Sequence, residues 1–171
     1  MVENNKEKRY SVDPDKTFQK SIEKAIKLTG DLTIPLTEIT KMWYKGNRSM
    51  FTLKGPGKYK DISEKWKKRK SYLIGSAYPI NEFTGETKEA ITNASSRSAF
   101  NQIVNKQSLL LGVYTSDLPY AGVNQYGYKN RPARPFLLTG AEQVATDGQA
   151  KAISLYTKIL NKYVKQATEN A

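Results

Sequence analysis

The chain contains no cysteine and no histidine among its 171 residues. Without cysteine there can be no disulfide bridge and no thiolate metal ligand. Without histidine the chain lacks the side chain that most often moves protons near neutral pH, and with it Ser-His and Cys-His catalytic pairs. We therefore predict that the protein is not an enzyme and has no catalytic residue, no cofactor and no metal site.

Long hydrophobic runs are also missing. The longest apolar runs are short, such as residues 109–113, whereas a membrane-spanning helix needs about 18 apolar residues. The first 16 residues are polar and charged and contain no apolar stretch of signal-peptide length. We therefore expect no contact with a membrane, a single domain over 13–165, and flexible tails at 1–12 and 166–171.

Acidic residues are scarce relative to basic ones. The 16 Asp and Glu are outnumbered by 28 Lys and Arg, which gives a net charge of +12. Half of this excess lies in segment 54–72, where eight basic residues accompany two acidic ones. An excess of this kind favours an anionic partner, either nucleic acid or an acidic protein surface.

Aromatic residues are interleaved with the basic residues of this segment, a pattern that suits contact with phosphates and bases. The candidate contacts with an acidic partner or DNA are Lys65, Trp66, Lys67, Lys68, Arg69 and Lys70. The alternative interpretation is that Trp66 anchors a helix to the core while the lysines are solvated. Sequence-nonspecific nucleic-acid binding through 54–72 is accordingly the second function that the sequence suggests.

Helical spacing of apolar residues predicts two helices near the N-terminus and one near the C-terminus. The first begins after Asp13-Pro14, ends at Gly30, and carries the stripe Phe18, Ile22, Ala25, Ile26 and Thr29. The second carries Leu32, Leu36, Ile39 and Trp43. The last is predicted over 140–165, with the stripe Val144, Ile153, Tyr156, Leu160, Tyr163 and Val164. We interpret these stripes as core.

Between the helices, residues 99–104 and 109–114 have the composition of strands and are joined by the short polar segment 105–107. They predict a β-hairpin. The fold class expected is therefore α+β, a small antiparallel sheet packed by the N-terminal helices and a long C-terminal helix.

Three carboxylates, Glu82, Glu86 and Glu89, are spaced so that they would share one face of a helix. They are the one feature that suggests an enzyme, a small nuclease with an acidic site. Gly85 interrupts this series, so a solvated acidic face is the simpler interpretation.

Four motifs follow one another between residues 55 and 137. The first two are Tyr59-Lys60-Asp61-Ile62-Ser63 with Lys65, Trp66 and Arg69-Lys70 after it, and Pro79-Ile80-Asn81-Glu82-Phe83-Thr84-Gly85 with Ala90-Ile91 after it. The third is Leu111-Gly112-Val113 followed by Tyr120-Ala121-Gly122-Val123-Asn124-Gln125-Tyr126-Gly127. The fourth is Pro132-Ala133-Arg134-Pro135-Phe136-Leu137, with the long C-terminal helix after it.

In this order the motifs resemble the phage virion morphogenesis family, the Mu-like tail completion proteins. One position departs from the family pattern: Asn124 stands where the family usually has histidine. Asparagine keeps a hydrogen-bonding side chain but cannot titrate. The resemblance implies motif and interface residues at Tyr120, Ala121, Asn124, Gln125, Tyr126, Gly127, Arg134, Pro135, Phe136 and Leu137.

The resemblance implies a structural virion protein, a tail completion or terminator ring at the head–tail junction. Its partners would be copies of itself in a hexameric ring, the tail tube, sheath or neck and connector proteins, and phage DNA in a non-specific contact. It would reside in the virion, in the tail or neck, and in the host cytoplasm during assembly. For Phe136 and Leu137 two interpretations stay open: they tie their loop to the protein's own core, or they lie at a subunit boundary.

Overall fold

The computed structural model describes residues 16–55, 59–137 and 152–169. Several sequence predictions lie outside these residues: the tail at 1–12, the start of the first helix at 13, and residues 140–151 of the last helix with Val144. The side chain of Phe18 and residues 170–171 also lie outside them.

The two N-terminal helices are confirmed. Helix α1 spans Lys16–Thr29 and α2 spans Thr33–Gly46, with a 3-10 helix, Asn47–Phe51, following directly. Gly30 ends α1 with φ +67°, and the Asp31 carboxylate accepts a hydrogen bond from the Thr33 amide at 2.9 Å where α2 begins. Hydrogen bonds from the backbone and side chain of Thr33, together with Lys106, lower the pKa of Asp31 to about 2.

The predicted hairpin is also confirmed. Strand β1, Ala99–Val104, pairs antiparallel with β2, Ser108–Val113, so that Ala99 faces Val113 and Val104 faces Ser108. At the turn, Asn105 and Lys106 adopt positive φ of 50° and 61°, as a tight hairpin turn requires. The Lys106 carbonyl accepts a hydrogen bond from the Leu32 amide at 2.8 Å, which fastens the turn to the start of α2.

The remaining helices are α3, Glu64–Ile74, α4, Glu86–Thr92, α5, Ala121–Tyr126, and α6, Ala152–Glu169. Helix α6 continues past residue 165, where the sequence predicts a tail, and ends at Glu169. In this last stretch the Thr168 hydroxyl donates to the Val164 carbonyl at 3.1 Å, and Lys165 pairs with Glu169 at 3.6 Å.

The core lies where α6 packs against both α1 and α2, while α2 also contacts α4 and the hairpin. The predicted stripes face this core, and their fully buried members are Ala25, Leu32, Leu36, Ile39, Trp43, Tyr156 and Leu160. The architecture is therefore α+β, as the sequence predicts. In the part of the chain that the structure describes, none of the helices combines the length and the apolar composition needed to cross a bilayer.

Candidate functional site

A groove of about 1290 Å³ opens on the surface beside α3 and α5. Its lining comes from segments 60–66, 80–88, 117–124 and 129–134. Each of the four motifs found in the sequence contributes residues to this lining. We call this feature the motif groove. The motifs, which are dispersed along the chain, therefore share one surface.

Gln125 fixes the last motif in place. Its side chain is buried, its Oε1 accepts hydrogen bonds from the amides of Phe136 and Leu137 at 3.0 Å each, and its Nε2 donates to the Leu137 carbonyl at 2.9 Å. The side chains of Phe136 and Leu137 are buried in the hydrophobic core. They therefore tie their loop to the protein's own core, which leaves them unavailable for a subunit boundary.

A closed loop joins α5 to this buried segment. Gly127 ends α5 with φ +76°, and the backbones of Tyr128 and Arg131 exchange two hydrogen bonds of 3.1 and 2.9 Å. The Arg134 amide then donates to the Asn124 carbonyl at 2.7 Å. This loop holds Asn124 and Arg134 side by side in the groove.

Arg134 is half-buried and incompletely bonded. Its Nη2 donates to the Lys60 carbonyl at 3.4 Å, and its Nε is buried with no hydrogen-bond partner. Within the described residues it forms no ion pair. Burial lowers the pKa of the Arg134 guanidinium, an effect that the charges of Asp61 and Tyr59 oppose. The guanidinium therefore has donors to spare for a ligand.

Tyr59 and Asp61 hold the first motif against the others. The Tyr59 hydroxyl donates a hydrogen bond to the Pro135 carbonyl. The Asp61 carboxylate lies 3.3 Å from Lys54 Nζ and 3.1 Å from Lys67 Nζ, and it accepts a bond from the Tyr78 hydroxyl at 2.9 Å. Burial would raise the pKa of Asp61, but the bonds from Lys67 and Tyr78 outweigh it and hold the pKa well below its usual range. Asp61 thus stays ionised, and its charge is balanced by lysines of the same chain.

The basic helix α3 departs from the prediction at Lys70. Its side chain is 1% exposed, and its Nζ donates to the carbonyls of Ala77 and Pro79. Burial lowers the pKa of Lys70, an effect that Glu82 opposes. The prediction that Lys70 contacts DNA or an acidic partner is wrong, because its ammonium group is buried and bonded to backbone carbonyls of the loop that follows α3.

Other cations of segment 54–72 are also engaged internally. Lys67 pairs with Glu64 at 2.7 Å as well as with Asp61, and Lys54 also pairs with Asp61. Along α3, the predicted contact residues that remain exposed and form no ion pair among the described residues are Lys65, Lys68 and Arg69. The charge that α3 offers to a partner is therefore smaller than the sequence suggests.

Trp66 is not a core anchor. Its side chain is 40% exposed, and its ring stacks on that of Phe83 with centroids 6.0 Å apart and planes inclined by 20°. The Arg69 guanidinium lies 5.9 Å from the Trp66 ring. The stacked pair forms one rim of the motif groove, so the interpretation that Trp66 anchors α3 to the core is wrong.

The predicted family residues separate into those in the groove and those beneath it. Tyr120, Ala121, Asn124 and Arg134 line the groove, whereas Gln125, Phe136 and Leu137 are buried. Gly127 and Pro135 belong to the segment that follows α5, and Tyr126 is exposed to solvent; none of the three lines the groove. Sequence reasoning missed Phe83 and Arg131 as groove residues, although both belong to or adjoin the motifs.

The acidic series does not form a shared site. Gly85 precedes α4 with φ +85°, so Glu82 lies outside the helix that holds Glu86 and Glu89. Glu82 pairs with Lys88 at 3.1 Å, and Glu86 accepts a bond from the Thr84 hydroxyl at 3.1 Å. Glu89 is bonded by Asn93. Over residues 16–55, 59–137 and 152–169, no three acidic side chains are grouped as metal ligands.

A functional inference rests on two features of this chain, the order of its four motifs and the geometry of the groove that they share. Comparisons of the chain with models of protein families, with curated proteins and with solved structures found no match.

Proposed function

We propose that the protein is a structural component of a bacteriophage virion. In this proposal it is a tail completion protein that forms a hexameric ring at the head–tail junction, caps the tail tube and helps to join it to the head. The observation that carries the proposal is the meeting of four family-like motifs around one groove. Because function depends on the site rather than on the fold class, this shared surface supports a common role for the motifs.

Assembly, rather than turnover, would be the activity of such a protein. Identical subunits in a ring bury side-to-side surfaces that repeat in a head-to-tail manner until the ring closes. Three tyrosines are more than half exposed: Tyr120 at the groove, Tyr126 at the end of α5 and Tyr128 on the adjoining loop. Aromatic side chains of this kind are enriched in protein–protein interfaces, which supports a role in assembly.

The alternative function, sequence-nonspecific nucleic-acid binding through 54–72, has one observation in its favour. Lys65, Lys68 and Arg69 are exposed beside the partly exposed ring of Trp66. The burial of Lys70 and the pairing of Lys54 and Lys67 with Asp61 weaken it. A steep fall of DNA affinity with rising salt would support this function, and no measurable binding at low salt would refute it.

The tail completion proposal is tested in a phage that carries this gene. An amber mutation in the gene should yield filled heads separate from unattached tails, and the wild-type gene supplied from a plasmid should restore joined particles. Electron cryo-microscopy of the wild-type particle should place a ring of this chain at the head–tail joint. Normal particles from the amber mutant, or absence of the protein from purified virions, would refute the proposal.

A further inference from the structure

We infer that the motif groove binds an acidic peptide segment of a partner protein, and that Arg134 anchors one carboxylate of that segment. The inference rests on the proposed function for the source of the segment, a neighbouring protein of the neck or tail. The binding itself is argued from the groove.

The charges of the groove are unbalanced. Four cations line it without an ion-pair partner among the described residues, namely Lys60, Lys129, Arg131 and Arg134. Of the three carboxylates in the lining, Asp61 is paired with two lysines, whereas Glu86 and Asp117 accept hydrogen bonds from Thr84 and Ser98 and keep their negative charges. The four unpaired cations therefore outnumber the two uncompensated carboxylates. The groove therefore attracts negative charge.

Arg134 has the donors that a carboxylate needs. Of the five N–H donors of a guanidinium, one Nη2 donor is used in the 3.4 Å bond to the Lys60 carbonyl and the Nε donor is buried. Three Nη donors are thus left without a partner among the described residues. Asp61 acts on Arg134 through its charge but forms no ion pair with it among the described residues, and a carboxylate ligand can accept two parallel hydrogen bonds from the guanidinium. Ligand binding would therefore satisfy Arg134 more completely than the free protein does.

The size and rims of the groove suit an extended peptide. Its volume of about 1290 Å³ exceeds the roughly 300–1,000 Å³ of small-molecule sites. The Trp66–Phe83 pair and Tyr120 offer exposed aromatic surface on the groove walls. Apolar residues that alternate with the acidic ones in a peptide can pack against these rings.

Two other occupants fit less well. A nucleic acid carries a charge at every phosphate, so some of its phosphates would lie near the uncompensated carboxylates of Glu86 and Asp117, whereas a peptide can place a single carboxylate at Arg134. A second copy of this chain would bring its own net charge of +12 to a basic groove, so a neighbouring subunit of the proposed ring is expected to pack against a different surface. Charge complementarity therefore selects an acidic protein segment.

Fluorescence anisotropy of a labelled peptide in which glutamate alternates with leucine, titrated with the full chain at low salt, tests the inference. We expect saturable binding that weakens as salt is added. Arg134→Gln should weaken the affinity by roughly tenfold or more, and Arg131→Gln should weaken it several-fold. Arg97→Gln, which removes an exposed cation outside the groove, is the matched control and should change the affinity by less than about twofold.

Several outcomes would overturn the inference. They are no binding of the glutamate–leucine peptide, equal binding of the same peptide with glutamine in place of each glutamate, or equal affinities of Arg134→Gln and Arg97→Gln. Binding of a single-stranded oligonucleotide that displaces the peptide and is itself weakened by Arg131→Gln would overturn it in favour of nucleic acid. Circular dichroism checks that each variant is folded, and Arg131, which is exposed, supplies a test if Arg134→Gln fails to fold.

The same variants separate this inference from the proposed function. Loss of peptide binding in Arg131→Gln together with normal joining of heads and tails would support the groove as a peptide site and count against its role in assembly. Peptide binding that is absent from the wild-type chain, in a phage whose amber mutant fails to join heads to tails, would refute the inference and leave the proposed function standing.

Discussion

Single residues shape the motif groove mainly through bonds to the backbone. Gln125 binds the amides and a carbonyl of Phe136 and Leu137, and Lys70 binds the carbonyls of Ala77 and Pro79. These backbone groups lie in irregular segments, and the two side chains supply the hydrogen bonds that regular structure would otherwise provide. Buried backbone groups need such partners, so each of these residues stabilises a loop that has no regular structure.

Gly127 is a position where the backbone excludes a side chain. Its φ of +76° and ψ of 168° lie in a region that glycine alone adopts readily, and a Cβ would lie 2.8 Å from the Arg131 carbonyl oxygen. We expect Gly127→Ala to lower the free energy of unfolding by about 2 kcal/mol or more, measured by urea denaturation. Gly75→Ala, with φ +79° and open space around the Cβ, is the control and should cost about 1 kcal/mol. Equal losses would show that the Arg131 contact is not decisive.

Gln125→Leu keeps the size of a buried side chain but removes its hydrogen bonds. The amides of Phe136 and Leu137 and the Leu137 carbonyl would then lose their partners, and we expect a loss of about 2–4 kcal/mol in the free energy of unfolding. Gln102→Leu, at an exposed position of β1, should change it by less than about 0.5 kcal/mol. A loss no larger than that of the control would contradict the role of Gln125.

At the scale of elements, α3 differs from α1, α2 and α6 because none of its apolar side chains is buried. It buries one residue, Lys70, whereas α2 buries six. Near its C-terminal end, Tyr72, Leu73 and Ile74 are exposed. Helix α3 is held at its edges by the Asp61 ion pairs and by the stack of Trp66 on Phe83.

Hydrogen exchange should distinguish α3 from α2. A helix with few buried apolar contacts opens at a lower free energy than one packed in the core. We expect the amides of 67–74 to exchange faster than those of 37–46, followed by mass spectrometry or NMR under native conditions. Equal protection of the two helices would mean that the charged and aromatic contacts stabilise α3 as strongly as apolar burial stabilises α2.

The stability that Asp61 provides should depend on pH. Because the pKa of Asp61 is lower in the folded chain than its ordinary value, the unfolded chain takes up this proton first as the pH falls. The stabilisation is therefore complete above about pH 5 and is lost as the pH falls below about 4. We expect Asp61→Asn to be less stable than wild type at pH 7, and the difference in unfolding free energy to shrink below pH 4.

Urea denaturation at a series of pH values measures this difference. Glu38→Gln is the matched control, because Glu38 is exposed and forms no ion pair among the described residues, and its difference from wild type should stay small throughout. A difference for Asp61→Asn that is constant from pH 7 to the acid limit of folding would contradict the assignment.

At the scale of the whole molecule, α6 joins the N-terminal helices into one core. Leu160 is fully buried, whereas Leu28 on α1 is half exposed. We expect Leu160→Ala to lower the free energy of unfolding by about 2–5 kcal/mol and Leu28→Ala to lower it by less than about 1 kcal/mol. Circular dichroism and the fluorescence of the two tryptophans, Trp43 and Trp66, should report one shared transition in both variants. Separate transitions would contradict a single core.

Much of the fold was predictable because it depends on local patterns. The periodic positions of Leu36 and Leu160 identify core helices, and two apolar runs separated by 105–107 identify the hairpin. These signals lie within windows of a few residues, where side-chain spacing determines which face is buried.

The groove was harder to predict because it depends on long-range contacts. The Tyr59 hydroxyl binds the Pro135 carbonyl, and Arg134 reaches the Lys60 carbonyl, across more than 70 residues of sequence. The burial of Lys70 has the same origin, since its carbonyl partners belong to a loop whose path no local pattern specifies. The motifs identified which segments matter, and the structure supplied their juxtaposition.

The hydrogen bonds of Gln125 stabilise the groove without involving the loop residues that would contribute to its specificity. Residues 124–125 and 134–137 are bonded to each other, so the loop tip between Tyr128 and Arg131 is closed at its base and can vary without moving Arg134. Changes at Lys129, Asn130 or Arg131 would alter the groove wall and leave Arg134 in its position. Recognition of a different partner could thus evolve, or be engineered, by exchanging this tip alone.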